Sequence, residues 1–177
     1  MVIFEPADNT QLKKLLPQII DYKGPVYIRM FRKSTPDIYE ESEEFDLFKA
    51  KKIKDGKDVS IFCSGIMVSE VLKANEILKE NKIDAEIINI HTIKPIDKET
   101  VINSARKTGA VVTAENHNII GGLYSAVCEV LCESCPVPSR AVGIKDTFGQ
   151  VGKMPYLKEV YEMTADDIVK KVKEVIK

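Results

Sequence analysis

An α/β fold, three-layered with a mostly parallel sheet between helices, is predicted by three features of this 177-residue sequence. Short β-branched runs alternate with longer segments whose apolar residues recur at helical spacing, the rhythm of strand–helix–strand units. Gly, Pro, Asn and Asp cluster at the joints between those segments. Hydrophobic residues make up 44% of the chain and charged residues 30%, enough apolar surface to fill a core and too much for a disordered chain.

The elements follow in order. Val2–Phe4 forms a short strand, broken by Pro6-Ala7-Asp8-Asn9-Thr10, which also supplies helix-capping side chains. Leu12, Leu15, Leu16, Ile19 and Ile20 then recur at helical spacing. Lys23-Gly24-Pro25 is a turn and Val26–Phe31 the next strand, which completes a β-α-β unit. Residues 33–48 are acidic, carry Pro36 and have no period, and read as a solvated connector. Beyond it Ala50–Lys54, Val59–Cys63, Ala85–Ile90, Ala110–Ala114 and Arg140–Ile144 read as strands. Thr92–Asp97 reads as a loop. Helices are expected after Ser64-Gly65, over Lys98–Thr108, from Gly121-Gly122 to about Glu133, and over Thr164–Ile176, where Thr164 and Asp167 match a capping box. Ligands of such sheets bind outside the carboxyl ends of the strands, so the loops after Cys63, Ile90, Ala114 and Ile144 are the ones to inspect.

Composition excludes several classes. Lys and Arg number 26 against 27 Asp and Glu, which removes the main reason to propose nucleic acid or an anionic membrane as partner. No apolar run approaches the ~20 residues a membrane span needs. The four cysteines are too few and too clustered for a secreted disulfide scaffold, so a reducing cytoplasm is expected.

Candidate chemistry is sparse. Cys128, Cys132 and Cys135 have the spacing of a three-thiolate iron–sulfur motif, but the first two fall on one predicted helix, which favours small buried thiols on a packed helix. Neither His91 nor His117 stands at metal-ligand spacing from them. Glu115-Asn116-His117 follows a strand and precedes Gly121-Gly122, which places a carboxylate and an imidazole where acid–base work or an interface could use them. Arg29 and Arg32 flank the end of a strand on opposite sides of an extended chain. A guanidinium there suits a phosphate; a salt bridge to the acidic connector is the competing use.

Taken together these segments resemble the C-terminal portion of a transketolase. The residues that carry the resemblance are Pro6-Ala7-Asp8, the run Gly24 to Arg32, Asp55-Gly56, Ser64-Gly65, His91-Thr92-Ile93-Lys94-Pro95-Ile96-Asp97, Glu115-Asn116-His117 with Gly121-Gly122-Leu123, and Asp146-Thr147-Phe148-Gly149. The resemblance implies that residues 1–33 are the tail of a thiamine-diphosphate pyrimidine-binding domain, 34–49 a linker and 50–177 the transketolase C-terminal domain. It implies two-carbon ketol transfer between sugar phosphates, with Arg32, and Arg29 beside it, at the substrate phosphate. Glu115, His117, Gly121 and Gly122 fall at an interface or the edge of an active site. Thiamine diphosphate and Mg²⁺ belong to the complete enzyme and are bound mainly by parts outside this chain: no Gly-Asp-Gly motif with a following Asn-Asn pair is present, and Glu5, just before Pro6, lies in the wrong element to activate the aminopyrimidine. A partner N-terminal subunit or upstream region, in a homodimer or hetero-oligomer, is therefore expected, with no catalysis by the chain alone. A deoxyxylulose-phosphate synthase, a 2-oxoacid dehydrogenase beta-type subunit and a non-catalytic dimerisation module remain the rival readings. The β-α-β piece would expose an unpaired edge, which must be covered by the second module, another copy or a partner chain.

Overall fold

The computed structural model describes residues 1–176. The chain runs β1 (Val2–Phe4), α1 (Asn9–Asp21), β2 (Val26–Ile28), β3 (Lys51–Lys54), β4 (Val59–Cys63), α2 (Met67–Glu80), β5 (Ala85–Asn89), β6 (Thr92–Lys94), α3 (Lys98–Thr108), β7 (Val111–Asn118), α4 (Leu123–Ser134), β8 (Ser139–Ile144), α5 (Met154–Val160) and α6 (Ala165–Val175). The main sheet has the order β3-β5-β4-β7-β8. Its strands are parallel except β3, which pairs antiparallel to β5 at one edge. Side chains alternate along each strand and so feed two cores. Ile61, Ile87 and Val112 pack with α2 and α6, while Phe62, Ile88 and Val111 pack with α3 and α4. Helices thus cover both faces, as the alternating pattern requires.

Helix starts are set by side chains that accept otherwise unpaired N–H groups. Asp8 accepts from Gln11 N at 2.8 Å, Asp97 from Thr100 N, and Thr164 and Asp167 form the expected reciprocal box.

Four expectations change. Thr92–Lys94 is not loop but strand β6, because it pairs antiparallel with β1 and joins β1 and β2 in a second, three-stranded sheet. The expected strand over Val26–Phe31 stops at Ile28, where β1, its partner, also ends. β7 continues to Asn118, past the expected end at Ala114. Finally, the connector is exposed along most of its length but is anchored at two points. Tyr39 and Leu47 are 7% and 1% exposed, and Leu47 packs with Phe4, Leu15 and Ile19. Its backbone is held by Asp8, whose Oδ2 accepts from Ile38 N and Tyr39 N, both at 2.8 Å.

Candidate functional site

The carboxyl ends of β1, β2, β4 and β7 meet where the two sheets adjoin. The parallel register Phe4↔Ile28 makes Glu5 the cross-strand neighbour of Arg29, whose N–H donates to Phe4 O. Arg29 Nη2 donates to Glu5 Oε2 at 2.5 Å, and both side chains are largely buried. Ser64 Oγ, after β4, donates to the same oxygen at 2.7 Å. Gly65 follows at φ +54°, and a Cβ there would lie 2.5 Å from Glu5 Oε1, so glycine alone admits the carboxylate. One carboxylate thus ties both modules to one guanidinium. Arg29 Nε is buried with no hydrogen-bond partner among the described residues.

Glu115, on β7, is fully buried and turned toward the start of α4. Its Oε2 accepts from Leu123 N at 2.7 Å and its Oε1 from Tyr124 N at 2.9 Å, satisfying the first N–H groups of the helix. Gly122 makes this approach feasible, since a Cβ there would lie 2.0 Å from Glu115 Oε2. Burial pushes the Glu115 carboxyl up to about 7, against the pull of the two backbone donors and of Arg29. His117 is half-buried with Nδ1 3.0 Å from Asn118 O, and no hydrogen bond joins it to Glu115 among the described residues. The carboxylate and imidazole flagged by the sequence are therefore not assembled into an acid–base pair: Glu115 anchors a helix. Gly121 and Gly122 line a groove of about 420 Å³ with Ile3, Ile93, Ser125 and Ala126.

Arg32 is exposed in a bend beyond β2, beside the exposed Lys33. It makes no ion pair among the described residues. In the acidic connector Glu41 pairs with Lys13 at 3.6 Å and Glu43 with Lys51 at 2.5 Å, and the competing salt bridge to Arg32 is not formed among the described residues. Arg29 is buried against Glu5 and Arg32 is exposed, so the two arginines face different surroundings, although the strand expected to separate them ends before either.

A buried polar network below this edge was not legible in the sequence. Gln11 Oε1 accepts from Ala7 N and from Asn89 Nδ2, and Asn89 also donates to the Tyr39 hydroxyl oxygen at 2.9 Å. His91 sits between Gln11 Nε2 at 3.3 Å and Asp46 O at 3.0 Å, and burial lowers its basicity. These groups lock α1, the connector and β5 together. Cys128 and Cys132 lie on α4 as expected, but the reading of buried thiols is corrected: Cys132 is exposed and Cys128 half-buried, because the helix buries the face of Leu123, Val127, Val130 and Leu131 instead. All four thiols are free.

The family model described as "Transketolase, C-terminal domain" matches residues 48–168. A Clostridium protein named 6-deoxy-6-sulfo-D-fructose transketolase subunit SqwH is 51% identical over 99% of this chain and 54% of its own length. A 1-deoxy-D-xylulose-5-phosphate synthase of Heliobacterium modesticaldum is 32% identical over 99% of this chain but only 28% of its own. Among solved structures, a split gene transketolase described as an inactive β4 tetramer superposes with a TM-score of 0.96 at 41% identity, covering 99% of this chain and 58% of the other. The chain spans about half the length of the transketolase subunits it matches.

Proposed function

The chain belongs to the transketolase C-terminal-domain family, and we propose that it is the C-terminal section of a transketolase that transfers two-carbon ketol groups between sugars with an anionic end group. The 51% identity to a transketolase subunit, against 32% to a synthase, favours transketolase over the synthase reading. Residues 1–33 are assigned to the pyrimidine-binding domain, 34–49 to the linker and 50–177 to the C-terminal domain. The end group is a phosphate or, as in the name of the Clostridium relative, a sulfonate.

Thiamine diphosphate and Mg²⁺ are assigned to the rest of the enzyme. The Gly-Asp-Gly motif with a following Asn-Asn pair does not occur in this sequence, which supports that assignment. Its own part is the substrate end. Arg32 carries that assignment: it is exposed, free of ion pairs among the described residues, and beyond the carboxyl end of a parallel strand, where α/β sheets take their ligands. Its planar fork suits a phosphate or sulfonate. Arg29, three residues earlier and paired with Glu5, is assigned a lesser part at the same end. The working assembly is a dimer or hetero-oligomer in the cytoplasm with an N-terminal partner or upstream region.

The test is Arg32→Ala in the reconstituted assembly. A lost charged hydrogen bond of ~1.5–3 kcal/mol raises KM for donors with an anionic end group roughly 10- to 150-fold. Arg32→Lys recovers part, because a point charge lacks the fork. Donors without the anionic group are unaffected. Equal loss for both donor types would make Arg32 a structural residue and overturn the assignment.

A further inference from the structure

We propose that the groove between α4 and β6 is an interface between two copies of this chain, formed about a two-fold axis that runs along the groove. The inference goes beyond the function proposed above. It names the face through which copies meet, and it stands or falls whether or not the assembly transfers ketol groups.

The groove has an apolar lining between two charged walls. Ile3, Ile93, Ile96 and Val130 supply the apolar part. One wall, made by β6 and the start of α3, carries Lys94 and Lys98. The other wall, α4, carries Glu129 and Glu133. All four charged side chains belong to exposed residues. Lys94 and Glu129 take part in no ion pair among the described residues. Lys98 and Glu133 stand 3.7 Å apart but are 64% and 72% exposed, so solvent leaves both charges open to a further partner. Residues Gly122 to Glu133 of α4 line the groove, about 16 Å of helix. Toward its start the lining residues are the small Gly122, Ser125 and Ala126, which let a second surface come close. Ile120, 67% exposed, adds apolar area beside that end.

Charge complementarity selects the occupant. The groove needs a partner that carries an acidic row and a basic row at matching spacing, and a second copy has both. Two such grooves can face each other about a two-fold axis in two ways. An axis across the groove sets lysine against lysine and glutamate against glutamate, which repels. An axis along the groove sets Lys94 and Lys98 of each copy against Glu129 and Glu133 of the other, twice over. The apolar linings then meet between the charged rows, and the two α4 helices run side by side in the same direction. Burial of the isoleucines supplies affinity, and the charges supply orientation. This face is distinct from the open edge of the smaller sheet: in the order β2-β1-β6 the groove borders β6, at the opposite side from β2.

Sedimentation equilibrium of the full chain is the test. The wild-type chain is expected to dimerise with a Kd on the order of micromolar. Reversing the basic wall (Lys94→Glu with Lys98→Glu) is expected to weaken the dimer about 10-fold or more, because each attraction across the interface becomes a repulsion. Reversing the acidic wall (Glu129→Lys with Glu133→Lys) is expected to do the same. Reversing both walls in one chain rebuilds a self-complementary groove and is expected to return the Kd to within about threefold of wild type. That recovery is peculiar to contact between copies: a face shaped for a different protein would be damaged by all of these changes. The four side chains are exposed, so the urea midpoint of each variant is expected to match wild type. Where one does not, the wild-type dimer itself serves, and raising the salt from about 0.05 to about 0.5 M is expected to weaken it several-fold by screening the charged rows. Four results overturn the inference and leave the proposed function intact. They are a chain that stays monomeric at about 100 μM, a dimer indifferent to wall reversal, as contact through β2 would be, a doubly reversed chain as weak as the singly reversed ones, and a wild-type dimer indifferent to salt.

Discussion

At the scale of single residues, the most informative side chain is Glu115. It combines full burial with two backbone donors, and burial wins, raising its pKa from the usual 4.5 to about 7. A carboxyl group raised in the folded state binds its proton more tightly there than in the unfolded chain. The stability it contributes is fully present below pH 4.5 and is lost as pH rises through about 7. The slope at its steepest is about 1.4 kcal/mol per pH unit. Urea unfolding of the chain between pH 5 and 7.5 is expected to show stability falling with pH, and Glu115→Gln to flatten that dependence. An unchanged slope in the variant would mean that the two backbone donors hold the carboxyl ionised throughout. Glu115 was visible in the sequence, but its chemistry was not. A glutamate after a strand and before Gly-Gly reads equally as a base or as a cap, and only the approach of Leu123 N and Tyr124 N decides. Glu5 is the opposite case: the sequence offers it no role once the aminopyrimidine is excluded, yet a carboxylate and a guanidinium one residue past two paired parallel strands are neighbours once the register is known.

At the scale of elements, local signals worked where local physics decides. Capping residues and helical spacing set α3 and α6 nearly to the residue and located α1 without its bounds. They failed where pairing comes from afar. Thr92-Ile93-Lys94 carries little strand signal ahead of Pro95, and becomes β6 only because β1 lies beside it. The seven-residue α5 buries none of its residues and so shows no periodic face, although Pro155 in its first turn was a usable start signal. The connector failed for a related reason: an acidic composition hid Tyr39 and Leu47, which are its anchors. Asp8 joins these elements, capping α1 with one oxygen and holding the connector's backbone with the other. Asp8→Ala is therefore expected to cost about 2–4 kcal/mol, from a lost cap of ~1 kcal/mol plus the buried donors of Ile38 and Tyr39 left unpaired. Thr164→Ala, which removes one partner of the α6 cap alone, is expected to cost only about 1 kcal/mol. Comparable losses in the two variants, measured by chemical denaturation, would mean that the connector is not held by Asp8.

At the scale of the whole molecule, the two sheets are unequal. The five-stranded sheet is covered by helices on both faces, whereas the other has three short strands, one of them, β6, contributed by the second module. That contribution covers one edge of the β-α-β unit. The opposite edge, β2, is open, with Tyr27 half-exposed on it and Leu16 and Ile20 exposed on α1. A sheet of this size with an open edge is a surface awaiting strands and helices from elsewhere. The Gly-Asp-Gly motif with a following Asn-Asn pair, which the family pattern uses for magnesium and diphosphate, also does not occur in this sequence. Both observations lead to one expectation: this chain folds, held by its buried network, but does not hold the cofactor unaided. Titration calorimetry of the isolated chain with thiamine diphosphate and Mg²⁺ is expected to give no binding in the micromolar range and no ketol transfer. Addition of an N-terminal transketolase partner that carries Gly-Asp-Gly and Asn-Asn is expected to restore both, and to protect the β2 amides from hydrogen exchange as the open edge is covered. Micromolar binding of thiamine diphosphate by the isolated chain would place cofactor-holding groups within these 177 residues and would require a different division of labour between the chain and its partner.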